Sequence, residues 1–273
     1  MRAMVSWLCA LLMAAAAHAQ TQPEPIYEPE YGQPGKDVVW VPTPQVVVET
    51  MIELARVSGD DYVIDLGSGD GRLVIAAAKR GARALGIEYD ENLVRYSQRS
   101  AARQGVAETA QFLKADIFAT DFSQATVLTL FLLPEMNLRL RPQFLAMKPG
   151  ARIVANFFGI GDWSSDEAVH IPQSEKCETY CIAYLWIVPA KVDGTWTTRQ
   201  GELALVQGHQ YFKGYLFANG VTKEVVQGRV RGEALNFTIE GASYSGRVNG
   251  DVIEGTVTNA GTFVPWSARR KAQ

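Results

Sequence analysis

Three glycines and two aspartates stand close together in Asp65-Leu-Gly-Ser-Gly-Asp-Gly71, directly after an apolar stretch. Glycines let a backbone turn sharply and leave no Cβ between the main chain and a ligand. The spacing is not that of a dinucleotide-binding loop, because Arg72 stands where that fingerprint needs its third small residue. The carboxylates would repel a diphosphate and attract a cation. The segment therefore predicts a loop that binds a small, positively charged molecule.

The residues on both sides of this loop predict the elements that hold it. Val63, Ile64 and Leu66 form the apolar run of a strand that is buried on both faces. Leu73 and the alanines after it form the apolar stripe of a helix that packs back on the sheet. Open α/β sheets bind ligands beyond the carboxyl ends of their strands, which is where this loop stands.

Two further acidic residues end predicted strands. Glu88 lies at about the twenty-residue offset from the glycine loop at which a carboxylate binds ribose hydroxyls, and Tyr89 beside it could flank an adenine ring. Asp116 ends the third strand, where it could accept an amino group of adenine while Ile117 packs on the ring. The alternatives are a solvent-exposed acid at Glu88 and a helix cap at Asp116.

The segment before the first strand supplies one more candidate. Pro42 and Pro44 bracket Thr43, so the chain is extended there and a helix begins at Thr43 or Pro44. A helix N-terminus offers free N–H groups to a carboxylate, and Thr43 could hold such a group of a ligand. A simple N-cap is the alternative.

The remaining periodic segments complete an α/β fold. They predict helices and strands over residues 91–104, 125–133, 137–147, 151–158 and 180–188. No helix precedes the last of these strands, so we expect it to be antiparallel. The predicted fold is a Rossmann-like sheet of seven strands with the last one antiparallel.

The pattern changes after Pro189. Helical periodicity ends, and short alternating runs separated by Gly or Asn-Gly turns follow one another. These features predict a small all-β antiparallel meander domain, either a sandwich or a partly closed barrel. Trp196 and Trp266 are expected to fill its core.

Taken in order, these motifs resemble those of class I S-adenosylmethionine (SAM) methyltransferases. Val41-Pro-Thr-Pro44 with its helix is followed by Gly-Ser-Gly-Asp-Gly-Arg-Leu-Val-Ile-Ala-Ala-Ala, Gly-Ile-Glu-Tyr-Asp, Ala-Asp-Ile-Phe and Leu-Leu-Pro-Glu-Met-Asn. More narrowly, the chain is similar to the family of the mitochondrial ATP synthase c-subunit lysine methyltransferase and its bacterial relatives. The resemblance covers about residues 38–165 and implies methyl transfer from SAM to a lysine side chain of a protein.

The resemblance also implies roles for individual residues. The cofactor-binding set is Thr43, Asp65, Gly67, Ser68, Gly69, Asp70, Gly71, Glu88, Tyr89, Asp116 and Ile117. The catalytic candidates are Pro134 and Glu135 beside the substrate channel, where Glu135 is expected to orient the amine or accept its proton. Phe157, Phe158 and Trp163 are expected to line that channel. The loop after the fourth strand lacks an Asn-Pro-Pro-Tyr-like motif, which disfavours methylation of DNA or glutamine.

Charge and cysteine content limit the partners. The net charge of -3 argues against a nucleic-acid binder that relies on a basic surface. No metal site is predicted.

Cys177 and Cys181 would be roughly 13 Å apart on one straight strand but within disulfide reach across a tight hairpin, and the sequence leaves both arrangements open.

The N-terminus has the composition of a secretory signal peptide. Arg2 precedes an apolar run that ends in Ala17-His-Ala19, a small-x-small cleavage pattern. We therefore expect a signal peptide over 1–19, an extended lead-in over 20–37, a SAM-dependent methyltransferase domain over 38–190 and a β domain over 191–273. No other segment is long enough to span a membrane.

Export to the periplasm or the medium conflicts with the cytosolic supply of SAM. The alternative function is an exported, non-catalytic protein that keeps the SAM-binding fold and recognises an envelope partner through its C-terminal β domain.

Overall fold

The computed structural model describes residues 27–175 and 177–272. The predicted signal peptide over 1–19 lies outside the described residues. Within them, no helix is both long and apolar enough to cross a membrane.

The first part of the chain forms a mixed sheet with helices on both faces. Its helices are α1 (Gln45–Leu54), α2 (Arg72–Lys79), α3 (Glu91–Arg103) and α4 (Pro134–Ala146). Its strands are β1 (Tyr62–Leu66), β2 (Arg83–Glu88), β3 (Ala110–Lys114), β4 (Val127–Leu130), β5 (Arg152–Asn156), β6 (Glu167–His170) and β7 (Ile182–Ile187).

The strand order in this sheet is β3-β2-β1-β4-β5-β7-β6. Strands β1 to β5 are parallel, and β7 runs antiparallel to both β5 and β6. The predicted seven-stranded sheet with its last strand antiparallel is confirmed. The chain direction across the sheet reverses between β1 and β4, and such a switch point opens a crevice at the carboxyl ends of the strands.

Alternating side chains of the strands form two hydrophobic cores. Val63 and its neighbours pack against α1, α2 and α3 on one face, whereas Ile64 and Leu66 pack against α4 on the other. Because both faces are covered, the central strands are apolar almost throughout.

Helix α4 begins earlier than its predicted start at residue 137. Pro134 occupies its first turn, where the missing N–H of proline costs no hydrogen bond. The sequence predicts that the strand stops at Pro134-Glu-Met-Asn137 and that the helix follows, but Pro134 is itself the first residue of the helix. Pro142 also lies inside the helix.

The second part of the chain forms a closed barrel. Its strands are β8 (Gly194–Thr198), β9 (Glu202–Gly208), β10 (Tyr211–Ala218), β11 (Val221–Arg231), β12 (Ala234–Ile239), β13 (Ala242–Asn249), β14 (Val252–Asn259) and β15 (Thr262–Arg270). The all-antiparallel β domain is confirmed. Of the two architectures left open, a barrel is observed, and it is fully rather than partly closed. Strand β8 closes it by pairing with both β9 and β15. The alternating pattern does not reveal β8, which has a single large apolar residue, Trp196, buried in the barrel core.

The barrel is docked on the sheet by specific polar contacts. The Asp166 side chain is fully buried and accepts a hydrogen bond from Arg229 of β11 at 2.7 Å. The Gln210 amide donates to the Ser164 carbonyl at 2.7 Å. Next to these contacts, the rings of Trp163 and His209 stack with centroids 5.9 Å apart. The barrel is therefore held against the loop that follows β5.

Cys177 and Cys181 form a disulfide, with their Cα atoms 5.8 Å apart. Cys177 is buried in the core on the α1 face of the sheet. The backbone between them reverses direction and enters β7, so of the two arrangements left open, the hairpin-like one is observed. The disulfide ties the loop before β7 to the core.

Candidate active site

One cavity of about 290 Å³ lies at the carboxyl ends of β1, β2 and β4. The glycine loop, the ends of these strands and the lead-in segment before α1 form its walls. Of the predicted cofactor-binding residues, it is lined by Thr43, Asp65, Gly67, Ser68, Gly69, Asp70, Glu88, Tyr89, Asp116 and Ile117. The fold thus gathers these residues around one space.

Gly71 is the one member of the predicted cofactor set that does not line the cavity. It is the N-cap of α2 and has a φ of 80°, a conformation that favours glycine. A Cβ on it would lie 2.7 Å from the Phe112 ring and 2.9 Å from the Ser97 Cβ. Its lack of a side chain therefore serves the packing of α2 and α3 behind the loop rather than ligand contact.

Asp65 is a buried carboxyl in the wall of the cavity. Its Oδ1 accepts a hydrogen bond from the Thr129 hydroxyl at 2.5 Å. Burial raises the pKa of Asp65 to about 7, and the nearby carboxylates of Glu88 and Asp70 add to the rise. A cationic group beside Asp65 would favour its ionised form.

Glu88 braces the glycine loop from the end of β2. Its Oε2 accepts the Gly69 N–H at 2.9 Å, and its Oε1 accepts the N–H groups of Tyr89 and Asp90 at 2.7 and 2.9 Å. A carboxylate has about four acceptor positions, so three backbone bonds leave capacity for a ligand hydroxyl. Glu88 thus shapes the loop and also faces the cavity.

Asp116 and Tyr89 share a cation from this same chain. The Lys36 ammonium lies 2.7 Å from Asp116 Oδ2 and 4.5 Å from the centroid of the Tyr89 ring. The hydrogen bond from Lys36 lowers the pKa of Asp116 below its ordinary value. Lys36 therefore contacts two of the three side chains that were predicted to contact adenine.

Asp70 connects the glycine loop to the start of α1 through Arg72. The Arg72 guanidinium donates to both carboxylate oxygens of Asp70 and, at 2.6 Å, to the Thr43 carbonyl. The Asp70 carboxylate is thus already paired, and Thr43 is buried. Arg72, the residue that does not fit the dinucleotide fingerprint, therefore links the glycine loop to the segment before α1.

The lead-in segment closes over the cavity. The Trp40 N–H donates to the Gln33 carbonyl and the Gly32 N–H donates to the Trp40 carbonyl, both at 2.9 Å, and residues 33–41 line the space. The indole of Trp40 packs on Gly69, where any Cβ would collide with it. Lys36 and Trp40 were not among the predicted site residues, and their only signal was their proximity to the Val41-Pro-Thr-Pro44 motif.

The predicted catalytic pair lies outside the cavity lining. Leu133 and Met136 line the space, whereas Pro134 and Glu135 between them are exposed. The cause is the early start of α4, which turns the Glu135 side chain toward solvent. The structure therefore brings no carboxylate of α4 into the lining of the cavity.

Aromatic side chains form the end of the cavity opposite Lys36. Phe131, Phe158 and Tyr180 line it, and Phe157, with 39% of its surface exposed, contacts Phe158 and Tyr180 at the rim. Trp163, predicted to line this channel, is instead buried between Trp186 and His209 under the barrel. Tyr180 was missed because tertiary contacts, not local sequence, bring it here. Phe131 was missed because the sequence predicts a strand over 125–133, whereas β4 ends at Leu130, directly before Phe131.

The charges around the cavity fit SAM, which carries a sulfonium and an amino group. The acidic residues that line the cavity are Asp37, Asp65, Asp70, Glu88, Asp90 and Asp116. Its basic residues are Lys36 and Arg72. The buried Ser68 hydroxyl has no hydrogen-bond partner within the described part of the chain. No group of three or more His, Cys, Asp or Glu in the same part is arranged to hold a metal ion.

Comparison with known proteins agrees with this geometry. Residues 65–167 match the family described as the ANTKMT methyltransferase domain. A protein-lysine N-methyltransferase of Saccharolobus islandicus is 38% identical over 55% of this chain and 94% of its own length. The human lysine N-methyltransferase of the ATP synthase c-subunit is 37% identical over 46% of this chain, which spans only about half (54%) of that relative. A solved RNA methyltransferase from Salinibacter ruber in complex with S-adenosyl-L-homocysteine is 42% identical, with a TM-score of 0.51, over 56% of this chain and 96% of that one.

The fold, the cavity and these relatives define an enzyme of the SAM-dependent methyltransferase class, with SAM as its cofactor. More narrowly, the chain belongs to the methyltransferase family of the Saccharolobus protein. The barrel lies outside the segment that the family profile matches.

Replacing Lys36 tests whether this side chain competes with the cofactor for Asp116, the residue predicted to accept the adenine amino group. We expect Lys36→Ala to increase SAM affinity severalfold, because Asp116 is then free to accept the adenine amino group. Lys114→Ala serves as the control, since it removes the same charge from an exposed pair with Glu91 that lies off the cavity. Titration calorimetry measures both. An unchanged or lower affinity for Lys36→Ala would show that Lys36 does not compete with the cofactor.

Proposed function

We propose that this protein is a SAM-dependent N-methyltransferase that acts on lysine side chains of a protein. The observation that carries the proposal is the cavity at the carboxyl ends of the strands, which has acids that suit SAM at one end and an aromatic, carboxylate-poor wall at the other. The names of the Saccharolobus and human relatives support lysine as the acceptor.

We propose that the acidic residues of the cavity bind different parts of the cofactor. SAM supplies an electrophilic methyl group when bound. Asp65 is placed to pair with the amino group of the cofactor, Glu88 with its ribose and Asp116 with its adenine. Holding the reacting groups in line is worth up to about 7–11 kcal/mol in favourable systems, so positioning accounts for most of the expected acceleration.

The acceptor amine must lose its proton before it reacts, since an ammonium ion has no lone pair. The methyl end of the cavity is lined by Leu132, Leu133 and Phe158, and apolar surroundings lower the pKa of an amine. Glu135 is exposed, so it can take the proton only through water. We infer that the amine enters as the ammonium ion and gives its proton to water inside the cavity, where desolvation and the positive charge of the bound cofactor both lower its pKa. No fixed base is required.

Labelled SAM tests the proposal directly. The protein is incubated with tritiated SAM and a cell extract, the products are hydrolysed in acid, and the amino acids are separated. We expect radioactivity in methylated lysine. An extract whose amines have been acetylated is the matched substrate control and should accept no label. An enzyme carrying Asp65→Asn is the catalyst control.

RNA is the second candidate acceptor, because the Salinibacter structure is described as an RNA methyltransferase. The net charge of -3 weighs against it. Label that is removed by ribonuclease would favour RNA. Label in protein residues other than lysine would contradict the lysine proposal.

The non-catalytic alternative predicts a different result. A scaffold that has lost turnover would either give no heat with SAM in calorimetry or bind SAM without labelling any extract component. The acids Asp65, Glu88 and Asp116 all face the cavity, which favours retained binding. Labelling of lysine above the Asp65→Asn control would rule out the scaffold.

We also propose that the protein is exported. The disulfide between Cys177 and Cys181 supports this location, because disulfides persist in oxidising compartments. N-terminal sequencing of the mature protein from its native host tests the proposal, and we expect the sequence to begin at Gln20. An intact Met1 together with free thiols at both cysteines would contradict it. Export would require a supply of SAM outside the cytosol.

A further inference from the structure

We propose that Phe131, Phe157, Phe158 and Tyr180 form a subsite, here called the aromatic subsite, that holds the cationic head of the methyl acceptor. The inference rests on the proposed methyltransferase function and names the chemistry by which this site recognises its substrate: an alkylammonium group on a narrow aliphatic stem, as lysine and its methylated forms carry.

The four rings form one contiguous wall. The Tyr180 centroid lies 5.1 Å from those of Phe131 and Phe157, and the Phe157 and Phe158 centroids are 5.2 Å apart. These three contacts are edge-to-face, whereas the Phe131 and Phe158 rings are nearly parallel, with centroids 6.1 Å apart. Because Phe131, Phe158 and Tyr180 also line the cavity, part of each ring is open to a ligand, as a cation–π contact requires.

The location of the wall favours a cation. Phe131, Phe158 and Tyr180 line the same cavity as Asp65, in which acids outnumber bases. The two basic side chains of the cavity are already paired, Lys36 with Asp116 and Arg72 with Asp70. An incoming ammonium ion therefore meets ring faces and a negative field without a competing cation at this end.

The backbone holds two of these rings in conformations that are costly for an L residue. Phe157 has a φ of 62° and Tyr180 a φ of 60°, both in the left-handed region that normally favours glycine. Residues held this way cluster at sites where the surrounding structure fixes them for a function. Here the fixing contacts are the bond from the Phe157 N–H to the Ile182 carbonyl at 2.9 Å and the Cys177–Cys181 disulfide. Cys181 directly follows Tyr180, so the disulfide positions that ring.

The test uses a cation and a neutral molecule of the same shape. Choline and 3,3-dimethylbutan-1-ol differ in the charge of the head group but scarcely in size, and each is titrated into the protein saturated with S-adenosyl-L-homocysteine. We expect the wild type to bind choline at least about fivefold more tightly. Tyr180→Leu and Phe158→Leu should lose that preference and keep their SAM affinity. Tyr180→Phe should retain the preference, because it keeps the ring.

Equal binding of the two probes by the wild type would overturn the proposal, and so would a preference that survives in Tyr180→Leu. If Tyr180→Leu does not fold, Phe157→Leu at the exposed rim gives the same comparison. Failure here is distinct from failure of the proposed function. Lysine labelling without a cation preference rejects the aromatic subsite alone, whereas a cation preference without lysine labelling rejects lysine as the acceptor.

The disulfide supplies a second readout. In the double variant Cys177→Ser/Cys181→Ser, the Tyr180 ring loses its anchor. We expect the choline preference to fall severalfold and the KM for the acceptor to rise, with kcat and SAM affinity nearly unchanged. A fall in SAM affinity of the same size would show that the disulfide supports the whole domain rather than this ring.

Discussion

Asp65→Asn is expected to make the ligand-free protein more stable while it removes most of its affinity for SAM. The asparagine keeps an oxygen that can accept the Thr129 hydroxyl bond. What it loses is the charge that pairs with the cationic cofactor. Losing one partner of a buried charge pair costs about 2–5 kcal/mol, so we expect a decrease in affinity of about 100-fold.

The gain in stability depends on pH in a defined way. The pKa of Asp65 is about 7 in the folded protein, against a reference value of 3.8. Between these values the folded state binds more protons than the unfolded state, so the free energy of unfolding of the wild type falls as the pH rises through this window. The asparagine side chain of the variant does not titrate, so the advantage of Asp65→Asn grows from about pH 4 to pH 7 and is complete above it, at about 2–4 kcal/mol.

Chemical denaturation at about pH 5 and pH 8, with and without SAM, measures both effects. Asp60→Asn is the matched control, because it removes the same charge from an exposed turn just before β1. SAM at about 100 times the wild-type Kd should stabilise the wild type and Asp60→Asn by about 2.7 kcal/mol, but Asp65→Asn by only about 0.4 kcal/mol. A variant that binds SAM within threefold of the wild type, or that gains no stability at the higher pH, would refute the role given to Asp65.

Arg229→Met is expected to lower the unfolding temperature by about 5–10 °C. It leaves the fully buried Asp166 carboxylate with only the Ile187 N–H, which donates to it at 2.8 Å. Breaking a buried pair costs about 3–5 kcal/mol, and the partly exposed guanidinium and the remaining N–H bond reduce this to about 2–3 kcal/mol.

The neighbouring arginine provides the control. Arg231→Met removes a similar bond to Glu167, but both of these side chains are nearly half exposed, so the loss should stay below about 1 kcal/mol. The double variant Asp166→Asn/Arg229→Met should recover most of the stability, because no buried charge remains. Equal losses for the two single arginine variants in differential scanning calorimetry would show that burial of Asp166 is not what makes the contact strong.

Much of the sheet and most of the cofactor end of the cavity could be read from the sequence. Asp65, Glu88 and Asp116 each lie at or within two residues of the end of a parallel strand, and the topology of such a sheet brings those ends together. The local sequence pattern is therefore sufficient to predict that these residues lie at the cofactor end of the cavity. The roles assigned to these residues remain predictions until cofactor binding is measured.

The acceptor end could not be read in the same way. Tyr180 reaches the cavity through a disulfide and a strand reversal, and Lys36 reaches Asp116 from 80 residues away in the chain. Neither contact has a sequence period or a motif. The role of Glu135 stays a prediction, since its position in a motif suggested chemistry and the structure leaves it exposed in the first turn of α4, outside the cavity lining.

The closure of the barrel also fixes an order of events during synthesis. Strand β8 pairs with β15, the last strand of the described chain, so the barrel can form only when residues up to Arg270 have left the ribosome. The methyltransferase sheet is complete at Ile187, some eighty residues earlier, and domains generally fold as units from the N-terminal side. The nascent enzyme therefore passes through a stage in which a finished sheet carries Asp166 without its arginine, until the final strand closes the barrel.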